Sequence, residues 1–227
     1  MSYQAPFVDA ARSVDPVNRS NTFVSYYSYG SMLGLALDLA LREKELNLDD
    51  YMRLVWITYG EQEKPYTVKD LHNVLNDYAG KDFGNFFFNN YIYKSNMPEM
   101  KSLLNSVGVL LTQDKSTVDF GATVKNGLIT ENTTMGLSAY NAGLENGDKI
   151  IKVNAVSINE STDFNYLINT FKPNDDIKIV YERFGKTKET TVTLLAGNTY
   201  TLSLFEANNL KLDEKQKALR DAWLQAK

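Results

Sequence analysis

Apolar positions in the first half of the chain recur at helical spacing. In "SYYSYGSMLGLALDLALR" (25–42) they predict a buried helix whose entry carries three phenols, Tyr26, Tyr27 and Tyr29. Gly30 and Gly34 lie one turn apart on it, where missing side chains predict a close approach by another backbone. The next segment places Asp49 at a helix N-cap, Met52, Val55 and Trp56 on one apolar stripe, and Gly60 as the stop. "TVKDLHNVLNDYAG" repeats the design with Thr67 as cap, Asp70 three residues on and Gly80 at the end. Asp82 is expected to open a fourth helix carrying Phe83, Phe86, Phe87 and Tyr91. Pro98 stands where a first helical turn accepts it, ahead of "EMKSLLNSVG".

After Gly108 the period shortens. "KIIKVNAVSI", "DIKIVYERF" and "ETTVTLLA" are β-branched and apolar runs bounded by Gly, Asn, Asp and Pro turns. A short helix over Thr162–Thr170 interrupts them, and "LDEKQKALRDAWLQAK" returns to helix with Leu219, Trp223 and Leu224 on one face. The expected class is α+β. A helical unit spans 1–113, a small strand-rich unit resembling a barrel or sandwich spans 114–205, and a terminal helix spans 206–227. No internal repeat or low-complexity stretch appears.

Composition narrows the chemistry. With 227 residues, 43% hydrophobic and 23% charged, the chain can bury one large core or two modest ones. A net charge of −4, a pI near 5.2 and scattered Lys and Arg argue against nucleic-acid binding. Without cysteine there is neither a disulfide nor a thiolate metal site. His72 is the only histidine, expected to be a partly exposed helix residue, so no pair of His ligands can form. "MSYQAPFVDAARSVD" lacks the basic and apolar segments of a signal peptide, and the apolar run Met32–Leu41 is interrupted by Asp38 and too short to span a bilayer. These features predict a soluble chain; the compartment stays open between cytoplasm and periplasm.

"SAYNAGLENGDKIIKVNAVSI" is the most specific string, with Ala142, Gly143, Leu144, Gly147, Asp148, Ile150 and Asn154 in register with a pattern of bacterial PDZ domains. "FNYLINTFKPNDDIKIVYERFGKTKETTVTL" resembles that family's groove helix, its Lys-Pro turn and its last two strands, with Asn174 where Gly is usual. The resemblance implies a peptide-binding module that adds an extended peptide to a free strand and caps its terminal carboxylate with loop N–H groups. "VDFGATV" matches that loop, so Val118, Phe120, Gly121 and Ala122 are the expected peptide-binding residues and peptide or protein C-termini the expected partners. Asp119 sets a negative charge beside a site meant for a carboxylate. A closed groove on a rigid appendage is the competing reading.

The helical half resembles the glycyl aminopeptidase family, zinc metallopeptidases with a thermolysin-like catalytic domain and a C-terminal PDZ module. The matching residues are Tyr26, Tyr27 and Gly30, then Asp38, Leu39 and Arg42, then Leu48, Asp49, Asp50, Met52 and Arg53. "PYTVKDLHNVL", "DFGNFFFNNYI" and "KQKALRDAWL" fit as well, so the resemblance runs over roughly residues 5–225. It implies that Tyr27 donates its hydroxyl to the developing oxyanion, or else packs, and that Tyr26 and Tyr29 pack; Tyr29 stands where the pattern has Lys. The family's H-E-x-x-H helix and downstream Glu are not in this sequence, so the expectation is a C-terminal fragment that is inactive alone. It would hold no metal, whereas its parent would bind zinc. Its expected partner is the missing N-terminal half of the catalytic domain, with a homodimer through an exposed helical face as a further expectation. The alternatives are a stand-alone PDZ adaptor with a helical scaffold, and an oligomerisation module with an unused groove.

Overall fold

In the computed structural model, which describes residues 5–11 and 16–225, two short turns at Phe7–Asp9 and α1 (Arg19–Thr22) precede the long helix α2 (Tyr26–Arg42). The contacts divide the chain into two units. One is built on Val24–Leu111 and the residues from Leu202 onward; the other holds Thr112–Thr201 and the short stretch ending at Phe23. The terminal helix thus groups with the helical unit, although its sequence sets it apart.

In the helical unit, Ser25 caps α2 by accepting from the Ser28 amide. Then follow α3 (Leu48–Val55), a wider π-helical turn at Trp56–Gly60, α4 (Val68–Ala79), α5 (Lys81–Phe87) with a second π-helical turn at Phe88–Ile92, and α6 (Met100–Ser106). Thr67 and Asp70 form the reciprocal cap expected of α4, which ends at Gly80. Leu37, Leu41, Tyr51, Val55, Val74, Leu75, Phe87 and Phe88 make the main core. Burying each such side chain contributes roughly 1.5–3 kcal/mol.

Several local expectations shift by a residue or two. The cap of α3 is Asn47, whose extended backbone lets Oδ1 accept from the Asp50 amide at 2.8 Å; Asp49 falls inside the first turn. The buried stripe of that helix is Tyr51 and Val55, while Met52 and Trp56 are 55% and 61% exposed. α5 starts at Lys81 directly after Gly80, leaving Asp82 within its first turn, and Pro98 lies just ahead of α6. A Cβ at Gly30 would meet the Phe7 ring at 3.2 Å rather than a backbone, and one at Gly34 would face open space. The close approach of two helices occurs at Gly84 instead, where a Cβ would stand 2.9 Å from the Asn76 backbone nitrogen.

β1 (Val109–Asp114) leaves the helical unit and pairs with β10 (Thr199–Leu204). Between them lie β2 (Val118–Asp119), β3 (Val124–Lys125), β4 (Leu128–Ile129), α7 (Ser138–Asn141), β5 (Lys149–Val153), β6 (Val156–Ser157), α8 (Phe164–Ile168), β7 (Asp176–Arg183), β8 (Lys186–Thr193) and β9 (Leu195–Ala196). Six strands form one antiparallel sheet in the order β3-β4-β5-β7-β8, with β6 on β5, and β2 pairs with β9. The result is an open sheet rather than a closed barrel. Alternation in β7 buries Ile177, Ile179 and Tyr181 in a core shared with Ile150, Val153, Leu144 and Phe164. Asn174 adopts the left-handed conformation its place in the Lys-Pro turn called for, φ 73°.

The chain ends in α9 (Glu214–Leu224), capped reciprocally by Asp213 and Gln216. Leu219 and Trp223 pack on Leu39, Leu104 and Val107, while Leu224, expected on the same face, stays exposed. Arg220 donates to the carbonyls of Val107 and Gly108 at 2.7 and 2.6 Å, satisfying groups that the end of α6 leaves over.

Candidate functional site

The strand-rich unit contains a groove of about 180 Å³ between the loop before β3 and helix α8. The four residues expected from the sequence, Val118, Phe120, Gly121 and Ala122, all line it. Asp119 joins them from the loop, and α8 with the residue after it contributes Asn165, Ile168 and Asn169. Phe120 closes the floor against Phe164 in an edge-to-face contact at 5.0 Å. Among the described residues β3 has a partner on one side only, β4, so its other edge offers unpaired backbone groups.

The loop is held by groups that sequence reasoning missed. Ser138, 1% exposed, donates its hydroxyl to the Asp119 carbonyl at 2.6 Å and accepts from the Leu195 amide at 2.9 Å. The Ala139 amide donates to the Phe120 carbonyl, and the Thr134 amide to the Gly121 carbonyl, both at 2.8 Å. Gly121 sits at φ 74°, and a Cβ there would lie 2.5 Å from Leu137 Cβ. Only glycine fits. The one sequence signal for Ser138 is that it fills the small position opening the Ala-Gly-Leu string. The Asp119 carboxylate turns back on its own loop and accepts from the Gly121 amide at 2.9 Å.

Asp148 of the same string is buried and structural. Arg183 grips it with two bonds, Nε to Oδ1 at 2.6 Å and Nη2 to Oδ2 at 2.7 Å, and the Glu145 amide adds a third at 2.8 Å. Those bonds push the Arg183 guanidinium above its ordinary value.

In the helical unit the three tyrosines have different fates. Tyr29 is wholly buried with Ala10 and Leu33, edge-on to Phe7 at 5.3 Å. Tyr27 is 76% exposed in the first turn of α2, its ring 4.4 Å from that of Tyr26. A side-chain hydrogen bond with Tyr27 holds the Tyr26 phenol above its usual value. Tyr27 is thus presented outward, and the groove residues lie in the other unit. His72 is half-buried, stacked on Phe88 at 4.5 Å. Among the described residues, no three His, Asp or Glu side chains gather as metal ligands would. No helix among them is long and apolar enough to cross a membrane.

Residues 106–194 match the PDZ domain family, and this part of the chain is a PDZ domain. Over 101 residues the chain is 31% identical to the serine protease Do-like HtrA of Lactococcus lactis subsp. lactis (strain IL1403). The match to the same protein of subsp. cremoris (strain MG1363) is equally close. Both matches take in 44% of this chain and 25% of the relative. Among solved structures, an aminopeptidase N family protein from Idiomarina loihiensis aligns with 92% of this chain at a TM-score of 0.72 and 25% identity. The chain spans 38% of that protein. Nearly all of it therefore shares the fold of part of an aminopeptidase N family protein, PDZ domain included.

Proposed function

We propose that this chain is the C-terminal part of a zinc-dependent aminopeptidase of the glycyl aminopeptidase type, carrying half of a thermolysin-like catalytic domain and a PDZ domain that binds extended peptide. The observation that carries this reading is the likeness of 92% of the chain to an aminopeptidase N family protein of which it spans 38%. Tyr27 supports it, since its side chain is presented outward at the start of α2 rather than packed. A phenol aimed at a carbonyl oxygen stabilises the charge that develops there as the peptide bond is attacked. The residues of this chain do not fit a zinc centre, because His72 is its single histidine and lies against Phe88. A metal would be held by the missing half.

The helical unit also carries large apolar side chains in water, among them Met52, Trp56, Ile57 and Phe86. Such side chains suit contact with the missing half of a catalytic domain, or with a second copy of the chain in its absence. In the PDZ domain, the open edge of β3 beside α8 suits a peptide added as a further strand. A second reading, a stand-alone PDZ adaptor, is favoured by the core the helical unit builds from its own residues. The reading frame upstream of residue 1 separates the two. An H-E-x-x-H helix with a downstream Glu is the expected result; an upstream stop codon would leave the adaptor.

A further inference from the structure

One N–H of the PDZ loop is already taken by the protein's own carboxylate. Asp119 Oδ1 accepts from the Gly121 amide at 2.9 Å, one of the N–H groups that a terminal carboxylate entering this loop would use. The arrangement is fixed from behind by Ser138, Ala139 and Thr134, which hold the carbonyls of Asp119, Phe120 and Gly121. Among the described residues, Asp119 is also the one charged side chain lining the groove. Facing it, α8 offers the neutral amides of Asn165 and Asn169, one turn apart, and neither Lys nor Arg to offset a second anion. The loop therefore presents a negative end.

We propose that this groove selects internal or carboxylate-free peptide segments, extended along β3 and neutral or cationic where they reach Asp119, and discriminates against free C-termini. The inference rests on the peptide-binding reading above and gives it a ligand class. Strand addition itself needs only the β3 edge, which any extended backbone can use. Backbone pairing supplies affinity, and the charge at Asp119 decides which end chemistry is accepted. The amide of Ala122, without a partner among the described residues, remains available to a peptide carbonyl.

The test uses the full chain and fluorescent ten-residue peptides rich in Val, Ile and Ala, each made as the free acid, as the C-terminal amide and embedded within a longer sequence. Anisotropy titrations should give amide and embedded forms that bind at least about tenfold tighter than the acid, the scale expected for a desolvated like-charge contact. Asp119→Asn keeps an acceptor for the Gly121 amide and removes the charge, so it should close that gap by strengthening the acid form alone. Free acids binding tenfold tighter than amides to the unaltered chain would overturn the inference and leave peptide binding intact. Failure of every form to bind would overturn the peptide-binding reading, and this inference with it.

Discussion

Arg183 reaches across 35 positions of sequence to close two parallel bonds on Asp148, a carboxylate almost wholly withdrawn from water. Removing one partner of a buried pair leaves an uncompensated charge and typically costs about 3–5 kcal/mol. Arg183→Met is therefore expected to lower the calorimetric transition of the PDZ domain strongly, while the paired change Asp148→Asn with Arg183→Met recovers part of the loss. An unchanged transition in the single variant would mean that the pair carries no stability. The Gly-Asp step of this string was legible in the sequence as a pattern, but its partner was not, because nothing local ties residue 148 to residue 183. The groove loop behaved differently. Val118, Phe120, Gly121 and Ala122 were legible as residues of one loop because they fall within a single five-residue stretch, and the charge of Asp119 stood out among them. Where that charge would point became visible only with the Gly121 amide in place.

At the scale of elements, caps were legible where the chemistry is local. Thr67 and Asp70 form their reciprocal cap as the spacing requires. In α3, by contrast, Asn47 and Asp49 both suit an N-cap, and the extended backbone at Asn47 decides between them. The phase of that helix could not be read either. Met52, Val55 and Trp56 fit one stripe, but a stripe is buried only when another element covers it, and the core covers Tyr51 and Val55. Hydrogen bonds from the Thr67 hydroxyl and amide hold the Asp70 carboxyl below its ordinary value of 3.8. A group depressed in the folded state adds stability above the unfolded-state value and loses it as the pH falls through the folded one. The stability gap between wild type and Asp70→Asn is expected to stay constant from neutral pH down to about pH 5 and to shrink below 3.8. Urea titrations at several pH values check this; a gap that widens in acid would contradict it.

At the scale of the molecule, the helical unit keeps a core of its own yet leaves Met52, Trp56, Ile57 and Phe86 in water. A contiguous apolar patch of such residues is the usual mark of an interface. If the missing half of a catalytic domain belongs there, the chain alone should self-associate at micromolar concentration in sedimentation velocity. Met52→Glu with Trp56→Glu should restore a monomer without lowering thermal stability. A monodisperse monomer for the unaltered chain would remove that support. The order of units was legible from the change in hydrophobic period after Gly108, whereas the return of the terminal helix to the helical unit was not. Leu219 and Trp223 mark an apolar face without naming the residues, Leu39, Leu104 and Val107, that receive it.

The most direct test of the aminopeptidase reading is turnover by the complete protein expressed from its full reading frame, compared with its Tyr27→Phe variant at equal zinc content. The account predicts peptide hydrolysis by the intact protein and a loss in kcat of about 10²–10³ in the variant, the usual effect of removing one oxyanion donor. Thermal stability should not change, since Tyr27 is 76% exposed. Equal turnover by the two proteins would return Tyr27 to the surface tyrosines, and absence of any peptidase activity in the complete protein would contradict the account as a whole.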